Sequence, residues 1–151
     1  MPKVYERLCI ITTDVVFGVV GEEERKIPTI LSGVTTDLDK IDRICKLMQV
    51  KTLFTDNVLN GLSLDYKFAY RYIGSMHLNE KDKILIFEDL EAIPRDECTR
   101  IVKTKALFEK GVLCYENSQH REALVYFEDV LKINSSDKVC YMYYNKTKEK
   151  L

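Results

Sequence analysis

The side chains that could do chemistry in this chain of 151 residues begin with two acidic runs. Glu22–Glu24 and the aspartates within Asp37–Asp42 carry carboxylates of the kind that bind Mg²⁺. Charge runs of this kind usually form a solvated surface instead. The glycine pair in GVVG, Gly18–Gly21, lacks the Lys-Ser/Thr that follows the glycines of a phosphate-binding loop, so the sequence predicts no such loop there.

Histidine and cysteine form no metal-ligand pattern in the sequence. The histidines, His77 and His120, have no second ligand nearby in the chain. The cysteines are odd in number and widely spaced, without a C-x-x-C pair: Cys9, Cys45, Cys98, Cys114 and Cys140. This distribution predicts reduced thiols that pack as small core residues in a cytoplasmic protein, and no metal site.

Composition bounds the class of protein. With 46% hydrophobic and 31% charged residues, the chain is predicted to be globular. A net charge of -1 gives no electrostatic reason to expect nucleic acid as a partner. No apolar run approaches the roughly 20 residues of a membrane span, and the N-terminal MPKVYERL is too charged for a secretory signal. The length fits one domain, or a small domain with an appendage.

The elements that would position these groups begin with apolar runs of strand type. Leu8–Thr12 and Val15–Val20 flank a Thr-Asp turn and predict a tight β-hairpin. The polar segment Glu22–Gly33 contains Pro28 and is predicted to be a loop. Apolar residues at helical spacing then predict a helix over Thr36–Gln49.

The middle of the chain alternates strand and turn signals. The predicted elements are a strand at Lys51–Thr55, a short helix closed by Gly61, a strand at Phe68–Leu78 broken near Gly74, and a buried strand at Lys83–Glu88. A charged segment with a proline follows and is predicted to be a linker, residues 91–103.

From Thr104 onward the apolar spacing is helical and resembles a tetratricopeptide repeat. The matching positions are Leu107, Gly111 and Tyr115 on the first helix, and Ala123, Phe127, Val130 and Leu131 on the second. Small residues would let the two helices approach closely. A single repeat cannot bury its apolar face alone, so a third helix over Lys138–Leu151 is expected to cover it.

Several segments together resemble the C-terminal part of a class III adenylate or guanylate cyclase catalytic domain of bacterial type. The matching segments read IITTD, VVFGVVG, EEER, TILSGVTTDLDKI and YRYIGSMHLNEKDKILIFEDL. The resemblance implies an α+β fold, with an incomplete ferredoxin-like sheet in residues 1–90, the linker 91–103 and an all-α helical hairpin in the tetratricopeptide-like residues 104–151.

The resemblance also implies where nucleotide contacts would lie. The family's Asn and Arg, which orient the ribose and offset transition-state charge, fall on Thr36 and Lys40. Threonine lacks the paired donor and acceptor of an amide, and lysine lacks the planar fork of arginine, so no catalytic set is intact. The family's phosphate lysine aligns with Lys81 and its base-reading threonine with Thr29, which are the nucleotide-binding candidates. The two metal-binding aspartates of the family precede the matched region, so no metal ligands are expected here.

These observations predict a degenerate or truncated cyclase-like protein, catalytically silent by itself, with a regulatory or interaction role in cyclic-nucleotide signalling. One alternative is the C-terminal portion of an active adenylate cyclase that makes cyclic AMP from ATP with a partner chain. Mg²⁺ or Mn²⁺ would then bind aspartates of the partner, whereas the chain alone needs no cofactor. Another alternative is a protein–protein interaction module that acts through the helical repeat. The expected partners are a second copy, a cyclase-type chain, or a protein on the repeat.

Overall fold

The computed structural model of the protein describes residues 6–31, 33–63 and 67–151. Within these residues the chain is mixed α/β. The strands are β1 (Leu8–Ile10), β2 (Val16–Val20), β3 (Ile27–Leu31), β4 (Thr52–Thr55), β5 (Tyr70–His77) and β6 (Lys83–Asp89). The helices are α1 (Val34–Met48), α2 (Asp56–Gly61), α3 (Arg95–Glu116), α4 (His120–Ile133) and α5 (Lys138–Lys148). None of the helices in these ranges is long and apolar enough to cross a membrane.

The main sheet has four strands in the order β1-β4-β6-β5. Strand β1 runs parallel to β4, with Leu8 opposite Thr52 and Ile10 opposite Phe54. Strand β6 is antiparallel to both of its neighbours, β4 and β5. All four residues of β4 are buried, as expected for a strand in the sheet interior.

The predicted hairpin between Leu8–Thr12 and Val15–Val20 is wrong. Strand β1 pairs with the distant β4, and β2 pairs instead with β3 in a separate antiparallel ribbon. The predicted loop over Glu22–Gly33 therefore contains a strand. Pro28 lies opposite Val19 in this ribbon, because each strand of a two-stranded ribbon has an unpaired side where a missing N–H costs nothing.

The predicted start of the helical part is also corrected. Helix α3 begins at Arg95, so most of the segment 91–103 that was predicted to be a linker is helix. Asp96 and Glu97 lie in its first turn, where negative charge is stabilised by the helix dipole. Charged residues dominate the first turns of α3 and give the segment the composition of a linker, although Ile101 within it is buried. The predicted domain start at residue 1 lies outside the described residues.

The helices and the sheet share one apolar core. Ile41 of α1, Leu53 of β4 and Ile73 of β5 belong to the same buried cluster as Phe108 and Phe127. The predicted interior positions of the helical hairpin are confirmed: Gly111, Ala123 and Phe127 are buried, and Leu107 packs against the cluster. A Cβ at Gly111 would lie 2.7 Å from the Phe127 ring, so the close approach requires glycine.

Helix α3 covers β5, one of the two edge strands of the main sheet. The backbone N–H of Tyr72 donates to the Glu109 carboxylate at 2.8 Å, and that of Ser75 donates to the Glu116 carboxylate at 2.7 Å. Gly74, between these residues, has φ 137° at an irregularity of the β5–β6 pairing. Two glutamates therefore satisfy strand donors that would otherwise be unpaired at the edge.

A buried arginine joins the sheet to α5. Arg71 of β5 is 1% exposed, and its Nε donates to Glu88 of β6 at 2.6 Å. Its terminal nitrogens donate to both oxygens of Asp137 at 2.6 and 3.1 Å. The Asp137 carboxylate also accepts the N–H of Cys140 and so caps α5. Both charges of the Arg–Asp pair are thus buried and hydrogen-bonded, the condition under which such a pair is tolerated.

Candidate functional site

A cleft of about 410 Å³ lies at the carboxyl ends of two parallel strands. Because β1 and β4 are parallel, the residues at their carboxyl ends, Thr12–Thr13 and Thr55–Asp56, lie at the same edge of the sheet. The start of α1 and the turn between β5 and β6 complete the walls. The lining residues are Ile11, Thr12, Thr13, Asp37, Ile41, Thr55, Asp56, Asn57, Leu78, Asn79, Lys81, Asp82, Lys83 and Ile84.

The turn between β5 and β6 is held by one asparagine. The Asn79 side-chain oxygen accepts the N–H groups of Lys81 and Asp82, both at 2.9 Å. Its Nδ2 donates to the Asp82 carboxylate at 2.5 Å. The Lys81 side chain is exposed, and its ammonium has no polar partner in the described part of the chain. The turn therefore presents one unpaired cation to the cleft.

Lys40, which the sequence resemblance aligns with the family's arginine, makes two polar contacts in the structure. Its Nζ donates to the backbone carbonyl of Leu78 and lies 3.9 Å from the Asp37 carboxylate. Asp37 and Leu78 both line the cleft, so this lysine bridges two of its walls. Its ammonium thereby fixes the start of the β5–β6 turn to α1.

Three aspartates, Asp37, Asp56 and Asp82, line the cleft together with Lys81 and Lys83. One oxygen of Asp56 accepts the N–H of Leu85 at 3.3 Å. Over residues 6–31, 33–63 and 67–151, no three His, Cys, Asp or Glu side chains converge in a way that could hold a metal ion. The cleft thus offers Lys81 and Lys83 as contacts for an anionic group, with the three aspartate carboxylates beside them.

The structure does not bring all the predicted site residues together. Thr36 is exposed in the first turn of α1, one residue before Asp37, and does not line the cleft. Thr29 lies on β3, where its hydroxyl donates to the carbonyl of Ile27 at 3.3 Å, and it does not line the cleft either. Sequence reasoning missed Asp56. The available signal was its position directly after a strand, but the parallel pairing of that strand with β1 was not predicted.

Together the fold and the cleft define a mixed α/β protein with a polar cleft where two parallel strands end. Comparison with models of known protein families gives no match. A curated protein of Dictyostelium discoideum, "Adenylate cyclase, terminal-differentiation specific", is 28% identical over 137 residues. The match covers 87% of this chain and 6% of that protein, so the chain spans a small fraction of the relative's length. No solved structure matches the chain. The similarity supports a cyclase-related region in this chain.

The extent of this similarity bears on the helical part. A match over 87% of the chain exceeds the segment up to residue 90, so it continues into the helices. The same helices share the core of the sheet. Both observations favour one unit in which the helices belong with the cyclase-related strands.

Proposed function

We propose that this chain is a degenerate relative of the class III nucleotide cyclases, that it does not convert ATP by itself, and that it acts through interactions in cyclic-nucleotide signalling. The observation that carries the proposal is the engagement of Lys40. At the family's arginine position stands a lysine whose ammonium is bound to the Leu78 carbonyl. The similarity to an adenylate cyclase supports the ancestry. On this proposal the four-stranded sheet is the remaining part of a ferredoxin-like cyclase sheet.

The chemical reason for silence is a missing donor for the charge that develops on the transferred phosphate. An arginine would offer two parallel N–H groups to phosphate oxygens. The Lys40 ammonium instead contacts Asp37 on α1 and the Leu78 carbonyl at the start of the β5–β6 turn. Thr36 replaces an amide with a hydroxyl, and it is exposed outside the cleft. Removing a single preorganised donor typically costs about 10²–10³ in kcat.

Nucleotide binding without turnover is part of the proposal. Lys81 is exposed, unpaired in the described residues and held over the cleft by the Asn79 turn, a suitable position for contact with phosphate. Thr29, the other proposed nucleotide contact, lies on the β2–β3 ribbon. Two-metal chemistry on a phosphate bound at Lys81 would also need bound Mg²⁺ or Mn²⁺. The residues that hold these ions would have to lie outside the described cleft.

The test is a cyclase assay with Mn²⁺ and ATP on the full chain, compared with the Thr36→Asn/Lys40→Arg double variant. Neither protein should form cyclic AMP above a no-protein control, because the two substitutions restore donors for the phosphate charge but supply no ligands for the two metal ions. In parallel, binding of a fluorescent ATP analogue should be weakened by Lys81→Gln and unchanged by Lys103→Gln, an exposed lysine on α3.

Turnover by the wild-type chain alone would overturn the proposal. Turnover only after addition of a second cyclase chain that carries metal-binding aspartates would instead support the alternative of a complementing C-terminal portion. Equal nucleotide binding by the two lysine variants would remove Lys81 from the site.

Partner binding is the second part of the proposed role. The β2–β3 ribbon, here called the hairpin, exposes apolar side chains on both faces: Val16, Phe17, Val19, Val20, Ile27 and Ile30 are 53–69% exposed. A two-stranded ribbon is at best marginally stable alone in water. We propose that a second copy of this chain, or a cyclase-type chain, covers it. The helical part is the other proposed partner surface.

A further inference from the structure

A groove between α1 and α5 lies away from both the cleft and the hairpin. Its volume is about 690 Å³, within the range of roughly 300–1,000 Å³ typical of ligand pockets. It runs between the last turn of α1 and the outer face of α5. The lining residues are Leu47, Met48, Gln49, Ser135, Ser136, Asp137, Lys138, Tyr141, Met142, Asn145 and Lys146.

The floor of the groove is apolar and open. Leu47 and Tyr141 are each 56% exposed, although both are large side chains with apolar surface. Met142 lies partly buried beside them and packs against the core. Methionine and tyrosine side chains of this kind adapt to, and anchor, apolar groups of a bound peptide.

The rim of the groove is positively charged. Lys138 and Lys146 line it, and neither forms an ion pair in the described part of the chain. The one carboxylate among the lining residues is Asp137, whose side chain is 0% exposed and bound through both oxygens to Arg71. The groove thus presents two unpaired cations and no available anion among its lining residues.

We propose that this groove binds an acidic amphipathic helix of a partner protein, with apolar side chains against Leu47, Tyr141 and Met142 and carboxylates on Lys138 and Lys146. An amphipathic helix that lays its apolar face into a groove is a common mode of peptide recognition. The apolar surface is concave and lies between two helices, which favours a helix over a membrane surface. The proposal goes beyond the cyclase relationship and does not depend on it.

The test is a selection with displayed random peptides of about 16 residues, roughly four helical turns, on the full wild-type chain. Counter-selection uses the Lys138→Glu/Lys146→Glu double variant. Lys138 begins α5, where glutamate is compatible with the helix dipole, whereas Lys146 lies in the last turn, where glutamate opposes the dipole. Circular dichroism therefore checks first that the double variant folds as the wild type does. Peptides recovered by the wild type should carry a net negative charge and large apolar residues at helical spacing.

Affinity of a recovered peptide is then measured by fluorescence anisotropy on matched variants. The double lysine variant should lose at least about tenfold in affinity, and so should Leu47→Ser/Tyr141→Ser. Controls with exposed residues elsewhere, Lys103→Glu/Lys110→Glu on α3, should bind as the wild type does.

Three outcomes would overturn the proposal. They are recovery of no peptide that prefers the wild type, recovery of neutral or basic peptides, and equal loss of affinity in the α3 control variants. A separate experiment measures whether the wild-type chain sediments with phosphatidylcholine–phosphatidylserine vesicles. Vesicle binding through the same lysines, with no selected peptide, would identify a membrane as the occupant and reject the helix.

Discussion

Arg71 shows how a single residue can connect separate parts of the chain. It is the largest of the fully buried side chains within the described ranges, and its guanidinium contacts Glu88, Asp137 and the Phe108 ring, 4.5 Å away. Burial raises the pKa of the Glu88 carboxyl, although Arg71 beside it opposes that rise. The residue lies on β5, and its partners lie on β6, on α3 and at the N-cap of α5.

Replacement of Arg71 by methionine should therefore be severe. The variant leaves the Asp137 and Glu88 carboxyls buried without their cation, and loss of one partner of a buried pair costs about 3–5 kcal/mol. Urea unfolding gives the free energy directly. The matched control is Arg100→Met, whose pair with Asp96 is exposed to solvent and should contribute little to stability. Equal losses in the two variants would contradict the account.

A second residue-scale prediction concerns alkaline pH. Burial raises the pKa of the Cys45 thiol from 9.0 to about 12, and its Sγ donates to the Val50 carbonyl at 3.2 Å. Between these values the unfolded chain releases a proton that the folded chain retains. The stability that the neutral thiol contributes is thus complete below pH 9 and is lost as pH rises toward 12.

The measurement is the free energy of unfolding across that pH window in wild type and Cys45→Ala. The variant should lose part of the alkaline slope, by up to about 1.4 kcal/mol per pH unit for one proton. Val50→Ala creates a cavity beside Cys45 but keeps the Cys45 thiol, so this variant should keep the wild-type slope. If Cys45→Ala and Val50→Ala gave the same slope as the wild type, the thiol would have no part in it.

Helices α3 and α4 approach each other closely at Gly111. Phe127 of α4 packs directly over Gly111 of α3, and a Cβ there would meet the ring at 2.7 Å. Phe127 is itself 0% exposed and stacks on Tyr143, so it has no free space into which to move. The packing of three helices is thereby set by one small residue.

Gly111→Ala should therefore destabilise the protein, although alanine is intrinsically the better helix former. Overpacking of this kind costs about 1–3 kcal/mol, more than the roughly 1 kcal/mol that helix propensity returns. Gly61→Ala is the matched control, because a Cβ there meets nothing within 4 Å. Thermal unfolding should show a Tm below that of the wild type for Gly111→Ala and an unchanged Tm for Gly61→Ala. A Tm equal to or above that of wild type would show that the helices are not in close contact.

Among the elements, the sequence predicted helices, whose contacts are local in the chain, but not the pairing of strands that are distant in the chain. The helical spacing predicted α1, α4 and the positions of Gly111 and Ala123, because a helix is stabilised by residues near one another in the chain. The pairing of β1 with β4 joins residues more than forty positions apart, such as Leu8 and Thr52, and no local pattern encodes it. The sequence consequently predicts a hairpin between β1 and β2, whereas the structure pairs β2 with β3.

The candidate site follows the same rule. Lys40 and Lys81 were found through the resemblance to cyclases, but the bond from Lys40 to Leu78 joins α1 to a turn that is distant in sequence. Asp56 lines the cleft only because two strands run parallel. Residue types are thus readable from the sequence, whereas the pairing that gathers them is not.

For the whole molecule, the distribution of exposed apolar surface is uneven. The hairpin carries Phe17 at 69% and Ile30 at 62% exposure, and these two residues face each other across its strands. Strand β1 lies at the edge of the main sheet and exposes Leu8 and Ile10. Among the residues that the structure describes, no strand pairs with the outer side of β1, and apolar surface at such an edge is a feature of sites that bind another chain.

The wild-type chain should therefore self-associate at tens of micromolar. Phe17→Glu/Ile30→Lys replaces an apolar cross-strand pair with opposite charges, which keeps the hairpin paired while removing its apolar surface. Light scattering behind a sizing column should show this variant as a monomer of 17.6 kDa. Val125→Lys, at an equally exposed apolar position on α4, should associate as the wild type does. A monomeric wild type would contradict the prediction.

The glutamates that cover β5 have a consequence for hydrogen exchange. The N–H groups of Tyr72 and Ser75 point away from the sheet, where edge amides normally exchange quickly with solvent. Here they donate to Glu109 and Glu116, so deuterium can replace these protons only when the hydrogen bonds to these glutamates break. Separation of α3 from β5 breaks both bonds together, so it would raise the exchange rates of the two amides in parallel. A partner that separates α3 from β5 would therefore raise the exchange rates of these two amides while the β5–β6 pairing stays intact.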